Sequence, residues 1–535
     1  MQSEEKNTVG AGAIASAAGE RQPEPNTLEH WAVAQRDEVA IIDGDINLTW
    51  HALNLQANRF AEALAMRGVT SGDIVAIRTQ IRHEWQIVSS AVAKLGASLL
   101  PFNWRLTPVE SRFILENSHA TVLVFDDQDV DAFAPAYRGL QLKAVVSIDA
   151  PTEGHDGLLS FRDMSNEVQP VRRFAAGRPP LIIYTSGTTG RPKGVVMGEI
   201  SMSQERMEYM LSIESADPQR KGARAMLTMP MHHGAGPHAC WSSLGAGNTL
   251  LMMRRFDPEK ALAAIQQHRI NHWLAVPTML KRIAGLPKIV LDRYDMSSMR
   301  SVRTGAAPVS SGLKEWARAY FGEILHEGYG ATEVGMISHL SPADMLRKQY
   351  SSGKPYRHVQ LLIKDEAGNV LPAGQEGVMW VKTPAVIRRY LNEAPLGSSV
   401  IDQDGYFQVG DIGKIDEEGF VYVTDRIKDM VISGGVNIYP AEIESVIGQH
   451  PSVQDVAVIG VPDDEFGEAV KAFIELKPGG SLTAAELGEF LKPLLGSYKR
   501  PRSIEFVEEL PRSTVGKILK RELRNPYWKN QERNV

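Results

Sequence analysis

YTSGTTGRPKG, Tyr184 to Gly194, decides how this chain of 535 residues is read. Thr185, Ser186, Thr188 and Thr189 supply hydroxyls, Gly187 and Gly190 let backbone N–H groups turn toward an anion, and Lys193 adds a full positive charge. Together they make a phosphate cradle. The flanks agree with this reading. Leu181, Ile182 and Ile183 form an apolar run that reads as a buried strand feeding the loop, and Val195, Val196 and Met197 resume strand character after it. The segment is not a P-loop, whose G-x-x-x-x-G-K-[ST] spacing opens a helix at its lysine. Here Gly187 and Gly190 are too close, Pro192 precedes Lys193, and Gly194 stands where a magnesium-binding hydroxyl would be.

Four further segments follow in order: MPMHHGAGP (Met229 to Pro237); TGAAP (Thr304 to Pro308) with EGYGATE (Glu327 to Glu333); VGDIG (Val409 to Gly413) with DRIKDMVISGGVNIYPAEIE (Asp425 to Glu444); and PRSTVGKILKREL (Pro511 to Leu523). With the opening loop, this set resembles the adenylate-forming superfamily of acyl-CoA synthetases, carrier-protein-loading adenylation domains and beetle-type luciferases. The resemblance runs through nearly the whole chain after about residue 25.

The resemblance implies a role for each motif. Thr185 to Gly190 and Lys193 would steady the β and γ phosphates of ATP. Gly305, Ala306, Ala307 and Pro308, with Glu327, Gly328, Tyr329, Gly330 and Ala331, would sandwich the adenine, Tyr329 stacking on the base. Thr332 would reach the α-phosphate, Glu333 would hold Mg²⁺, and Asp411 and Arg426 would grip the ribose hydroxyls. Lys517 matches the catalytic lysine. His233 would stand beside the acyl pocket. Gly234, Trp241, Gly328 and Met336 lie near these motifs in sequence and are candidate pocket residues, although Trp241 and Met336 also read as core residues. Lys428 matches a hinge about which a small carboxy-terminal domain rotates, bringing Lys517 to ATP in one orientation and lining a thiol channel with Ser433, Gly434 and Gly435 in the other. ATP, Mg²⁺ and coenzyme A are the implied cofactors, a carboxylic acid the substrate.

Outside the motifs, short apolar runs alternate with amphipathic ones. Strands are predicted at 74–77, 98–100 and 121–125 with helices at 84–95 and 108–117, then strands at 225–229, 249–253, 272–275, 299–304 and 324–326 with a helix at 258–268. Such alternation implies parallel sheets flanked by helices, with ligands at the carboxyl ends of the strands, where the TGAAP and GYGATE loops would lie. From about 353 the pattern changes to short strands and turns such as DEAGN and DEEG. The expected fold is α/β: a large N-terminal domain (26–425) of two helix-flanked, mainly parallel sheets plus a small β-rich subdomain (about 353–425), a hinge at 426–430 and a mobile α+β C-terminal domain (431–535). Residues 1–25 read as a disordered leader.

Composition sets limits. The length exceeds what one hydrophobic core supports. A net charge of −6 leaves no electrostatic footprint for nucleic acid. No apolar run approaches the roughly 18 residues of a membrane span, and the acidic start MQSEEK is unlike a secretory signal. The single cysteine, Cys240, excludes an intrachain disulfide and suits a reducing cytoplasm. It reads as a packed thiol, so an acceptor thiol must come from outside. His232 and His233 are adjacent, which is not the i, i+4 spacing of a helical metal pair. The residues leave open whether the acid is aromatic or aliphatic, whether the acceptor is CoA or a carrier protein, and whether the chain forms a homodimer. A noncatalytic nucleotide-binding relative is the rival from another class, and intact Lys517, Glu333, Asp411 and Arg426 argue against it.

Overall fold

The computed structural model describes residues 23–150, 152–175, 177–186, 192–197, 203–307, 309–387, 389–433, 436–463, 466–513 and 516–529. Four sheets organise them. The first has seven strands, in the order Leu158–Ser160, Ala144–Ser147, Val122–Phe125, Ile74–Arg78, Ser98–Pro101, Leu181–Ser186, Pro192–Met197. All neighbours are parallel except the last pair, an antiparallel hairpin in which Thr185 faces Lys193. The second sheet has nine strands, and its parallel centre includes Arg224–Leu227, His272–Leu274, Ser301–Gly305 and Leu325–Ala331.

Local chemistry sets the helices that cover these sheets. Pro258–His268 begins on Asp257, whose side chain accepts from Lys260 N–H, and Pro258 presets the first turn. Its Ala261, Leu262 and Ile265 repeat at helical spacing and are buried. Pro108–Ser118 starts with a capping box between Thr107 and Glu110. His83–Leu95 touches strands of both sheets and is buried over most of its length, as its run of Trp85, Ile87, Val88, Ala91 and Val92 requires.

A third sheet is antiparallel: Gln360–Lys364, Gly377–Lys382, Phe407–Ile415, Val421–Arg426. The fourth joins Val431–Ser433, Val436–Ile438, Val453–Asp463, Gly467–Leu476 and Ser503–Val507 and builds its own core around Val431, Ile443, Val458, Ile474 and Leu487. Between the third and fourth lies a single 3₁₀ turn, Ile427–Asp429, whose Lys428 carbonyl accepts from Arg524 at 2.8 Å.

The fourth sheet docks on helix Pro277–Ala284 of the larger body. Lys281 Nζ donates to Asp455 Oδ1 at 2.8 Å, while Arg512 Nη1 holds Asp455 Oδ2 at 3.0 Å. Nearby, Gly516 has φ +73° and sits so close to this helix that a Cβ there would stand 2.2 Å from Thr278 Oγ1. Among the described residues no helix is long and apolar enough to cross a membrane.

Candidate active site

The parallel strands of the second sheet end in a cleft of about 2920 Å³, which the docked fourth sheet roofs. At its centre Ser301–Gly305 finishes in two unusual residues. Gly305 has φ +154° and leaves no room for a Cβ, which would meet the Gly328 carbonyl oxygen at 2.2 Å; Ala306 is left-handed at φ +64°. An alanine pays roughly 1–2 kcal/mol for that conformation, and such strain collects where a backbone must be aimed at a ligand. Leu325–Ala331 runs alongside. The expectation that GYGA forms a loop is corrected here: Gly328 to Ala331 lie within this strand, paired antiparallel with Gly335–Leu340, with a register shift between Tyr329 and Gly330. A Cβ on Gly328 would meet Met336 Cε at 2.8 Å and one on Gly330 the Gly335 carbonyl oxygen at 2.4 Å, so the stretch reads as loop by composition while pairing as strand.

Side chains alternate across that strand. Glu327 forms a 2.5 Å ion pair with the buried Lys314 of helix Ser311–Phe321, so its carboxylate is already engaged. Tyr329 donates its hydroxyl to Asp411 Oδ2 at 2.5 Å, and Arg426 Nε holds Asp411 Oδ1 at 2.6 Å. Asp411 and Arg426 are brought together because they are register partners in the third sheet. Burial pushes the Asp411 carboxyl above its ordinary value, while Arg426, the Tyr329 hydroxyl, Lys517 and Lys428 pull the other way. Burial and the Asp411 charge push the Tyr329 hydroxyl well up, so it stays a donor.

Thr332 and Glu333 follow at the mouth of the cleft. Glu333 Oε1 accepts from Thr185 Oγ1 at 3.4 Å, which ties the end of this strand to the hairpin of the opening motif. Lys193 donates to Glu393 at 3.1 Å and lies 4.9 Å from the Tyr390 ring centre. Tyr390 and Glu393 are missed by motif reading. Their signal is faint, an aromatic and an acid in a polar stretch. Gly187, Thr188, Thr189, Gly190, Pro308, Gly434 and Gly435 lie outside the described residues, as do the side chain of Ser186 and most of the leader.

Lys517 enters from the roof. Its side chain is solvent-accessible, yet surrounding protein strips hydration from the ammonium and, with the Arg426 charge, lowers its pKa; Asp411 and Glu333 act oppositely. Lys517 thus lies within electrostatic reach of the Asp411–Arg426 pair, of Glu333 and of His233. Burial, then Lys517, brings His233 down to about 4, so the imidazole is neutral at neutral pH. His232 packs against it, ring centres 4.6 Å apart, and is itself buried. Lys428 lines the cleft, whereas Ser433, paired with Gly467 in the fourth sheet, does not.

Helix Ala235–Gly245 forms one wall. Ala235, His238, Ala239 and Ser242 follow helical spacing and face the cleft with His233 and Gly234, and Met336 lines the same cleft. Trp241, expected in the pocket, does not line it. One residue off that face, it turns onto Trp85, 6.0 Å away, and donates to Ser89 Oγ at 2.9 Å. Cys240 is fully buried with its thiol on Gln86 Oε1 at 3.3 Å, and burial raises its pKa. Away from the cleft, Asp43, His83 and Glu84 converge closely enough to hold a metal. Arg254 bonds both oxygens of Asp43 and Arg82 both oxygens of Glu84, so these carboxylates are already neutralised by guanidinium groups and the cluster is an ion-pair network.

Comparison with known proteins agrees with this geometry. Residues 28–391 match the AMP-binding enzyme family, and residues 442–517 match the AMP-binding enzyme C-terminal domain. The chain is 33% identical over 505 residues to an indoleacetate–CoA ligase of Aromatoleum aromaticum, covering 93% of this chain and 96% of that protein. It is 33% identical over 499 residues to the fatty acid–[acyl-carrier-protein] ligase ScoC of Streptomyces coeruleorubidus, covering 91% and 93%. The o-succinylbenzoate CoA synthetase MenE of Bacillus subtilis, solved with its acyl-adenylate intermediate, superposes with a TM-score of 0.77 at 30% identity, over 94% of this chain and 98% of that one. With its strand-end cleft, its roofing lysine and two family matches that together span most of its length, the chain belongs to the AMP-binding enzyme family of adenylate-forming ligases.

Proposed function

We propose that this protein is an AMP-forming acid–thiol ligase, joining a carboxylic acid to coenzyme A through an acyl-adenylate. The observation that carries the reading is the convergence of Lys517 with Asp411, Arg426, Glu333 and His233 on one cleft. A carboxylate acylates poorly because its leaving group would be oxide, so it must first become a mixed anhydride. A carboxylate oxygen bonds to the α-phosphorus of ATP and the bond to pyrophosphate breaks. Charge spreads over the phosphoryl oxygens, and fixed cations and donors stabilise it there.

The residues divide that work. Asp411 accepts the ribose hydroxyls, Tyr329 is held at the base by its bond to Asp411, and Thr332 donates to the α-phosphate. Lys517, a compact cation, bridges carboxylate and α-phosphate. Neutral His233 forms a wall beside the acyl carbon without competing for the anion. Glu333, with hard carboxylate oxygens facing Thr185 at the phosphate hairpin, suits Mg²⁺, which when bound neutralises charge on the phosphates. In the second step the small domain turns about Lys428, Lys517 withdraws, and a thiol attacks the acyl carbonyl as AMP leaves. The likeness to ScoC favours a carrier-protein thiol as the second reading.

The test supplies ATP, Mg²⁺, CoA and a panel of acids, and follows nucleotide and thioester. AMP and pyrophosphate in step with acyl-CoA are expected. ADP and phosphate would overturn the mechanism, and AMP formation with thioester only on a supplied carrier protein would select the second reading.

A further inference from the structure

The far end of the acyl side of the cleft is polar. Ser301, Arg303 and Gly305 share one face of their strand, and their parallel partners extend it: His272 stands beside Ser301, and His326 beside Arg303. Moving inward from the flat step made by Gly305 and Gly328, a tail meets Arg303 two residues down, about 7 Å, and Ser301 after about 13 Å. The upper part of the slot is narrow and apolar. A Cβ on Gly328 would meet Met336 Cε at 2.8 Å, and Met210 and Ile213 line the cleft from helix Gln204–Ser215.

Below that, the groups are built to hold a polar ligand. Asp217 closes the floor, accepting from Ser301 Oγ at 2.5 Å. Arg303 reaches it only at 3.7 Å through Nε, longer than a hydrogen bond, lies against the Tyr356 hydroxyl, and keeps about a quarter of its side chain accessible where it lines the cleft. His272 is 8% exposed, lines the cleft, and has an Nδ1 without a hydrogen-bond partner among the described residues. A saturated chain pushed this far would strip water from Arg303 and His272 and return no bond. A second carboxylate would be brought beside the Asp217 carboxylate, whose charge opposes those of Arg303 and Arg220. A neutral donor or acceptor meets neither obstacle.

Resting on the ligase reading above, we propose that the substrate is a compact carboxylic acid whose far end carries a neutral hydrogen-bonding group, such as a phenolic hydroxyl, a carbonyl or a ring N–H. Long unbranched alkyl acids are disfavoured. The distance from the Gly305–Gly328 step to Arg303 suits one aromatic ring.

The experiment measures acid-dependent AMP release by the full chain with 4-hydroxyphenylacetate, phenylacetate, adipate, decanoate and palmitate. The hydroxylated acid is expected to exceed phenylacetate in kcat/KM by about tenfold, the scale of one hydrogen bond to a charged donor, and to exceed the alkyl acids by more. In Arg303→Met the ratio of hydroxylated to unsubstituted acid should fall toward one, and Arg303→Lys should restore part of it. Preference for decanoate, palmitate or adipate overturns the inference while leaving the ligase reading intact, and the wild-type series alone decides this if the variants do not fold. An Arg303→Met enzyme with an unchanged ratio also overturns it. AMP release with none of the acids overturns the ligase reading, and this inference with it.

Discussion

Replacing Lys281 by alanine tests whether the docked orientation of the fourth sheet is the adenylating one. The lysine is about one-third exposed, while Asp455 is 8% exposed. Removing one partner of a buried pair ordinarily costs about 3–5 kcal/mol because a charge is left stranded. Asp455 is not stranded, since it keeps Arg512 at 3.0 Å and accepts from Val456 N–H at 3.0 Å. A loss of about 1–2 kcal/mol is therefore expected, a factor of roughly 5–30 in the balance between docked and undocked forms. The readout is ATP–pyrophosphate exchange beside thioester formation from supplied acyl-adenylate. Exchange should fall measurably, by up to that factor, while thioester formation holds or rises, with the melting temperature little changed. Equal losses in both steps, or full exchange activity, would refute the reasoning.

Two further outcomes are expected. Lys517→Ala should cut pyrophosphate exchange by on the order of 10²- to 10³-fold, the scale for one preorganised donor, and largely spare thioester formation; paired half-reaction assays check this, and equal losses would make the lysine a structural contact. His233 and His339 are held at about 4, against an ordinary 6.5, by burial first, then by Lys517 and His326 respectively. The unfolded chain therefore takes up protons before the folded one does, so stability should be full above about 6.5 and decline as pH falls toward 4. Urea midpoints across that window measure it, and His339→Gln should flatten the slope.

Much of this was legible in the sequence because capping and periodicity are local. The helix at 258–268 follows from Asp257, Pro258 and its apolar spacing, and the strand at Ile74–Arg78 from the apolar run Ile74 to Ile77. Of the two readings of Trp241, pocket or core, the core one holds, because sequence proximity to His233 says nothing about which helix face a residue occupies. GYGA was misread because glycine-rich composition mimics a loop where a strand is packed too closely for side chains. The polar floor had a faint signal, Ser301 and Arg303 alternating with buried Val302 and Thr304, but that pattern alone suggests a solvated face. Only the packing of Asp217 and His272 shows that this face looks into a cleft.

The contact between Gly516 and Thr278 gives the docking two separable parts. The Lys281–Asp455 attraction is ionic and partly exposed, so added salt weakens it. The seating of Gly516 on Thr278 is steric, set by the absence of a side chain, and indifferent to ionic strength. If the small domain turns as proposed, salt should alter how often the roof closes without altering where Lys517 arrives, so ionic strength would act on the frequency of productive closures while the geometry of each one stays fixed.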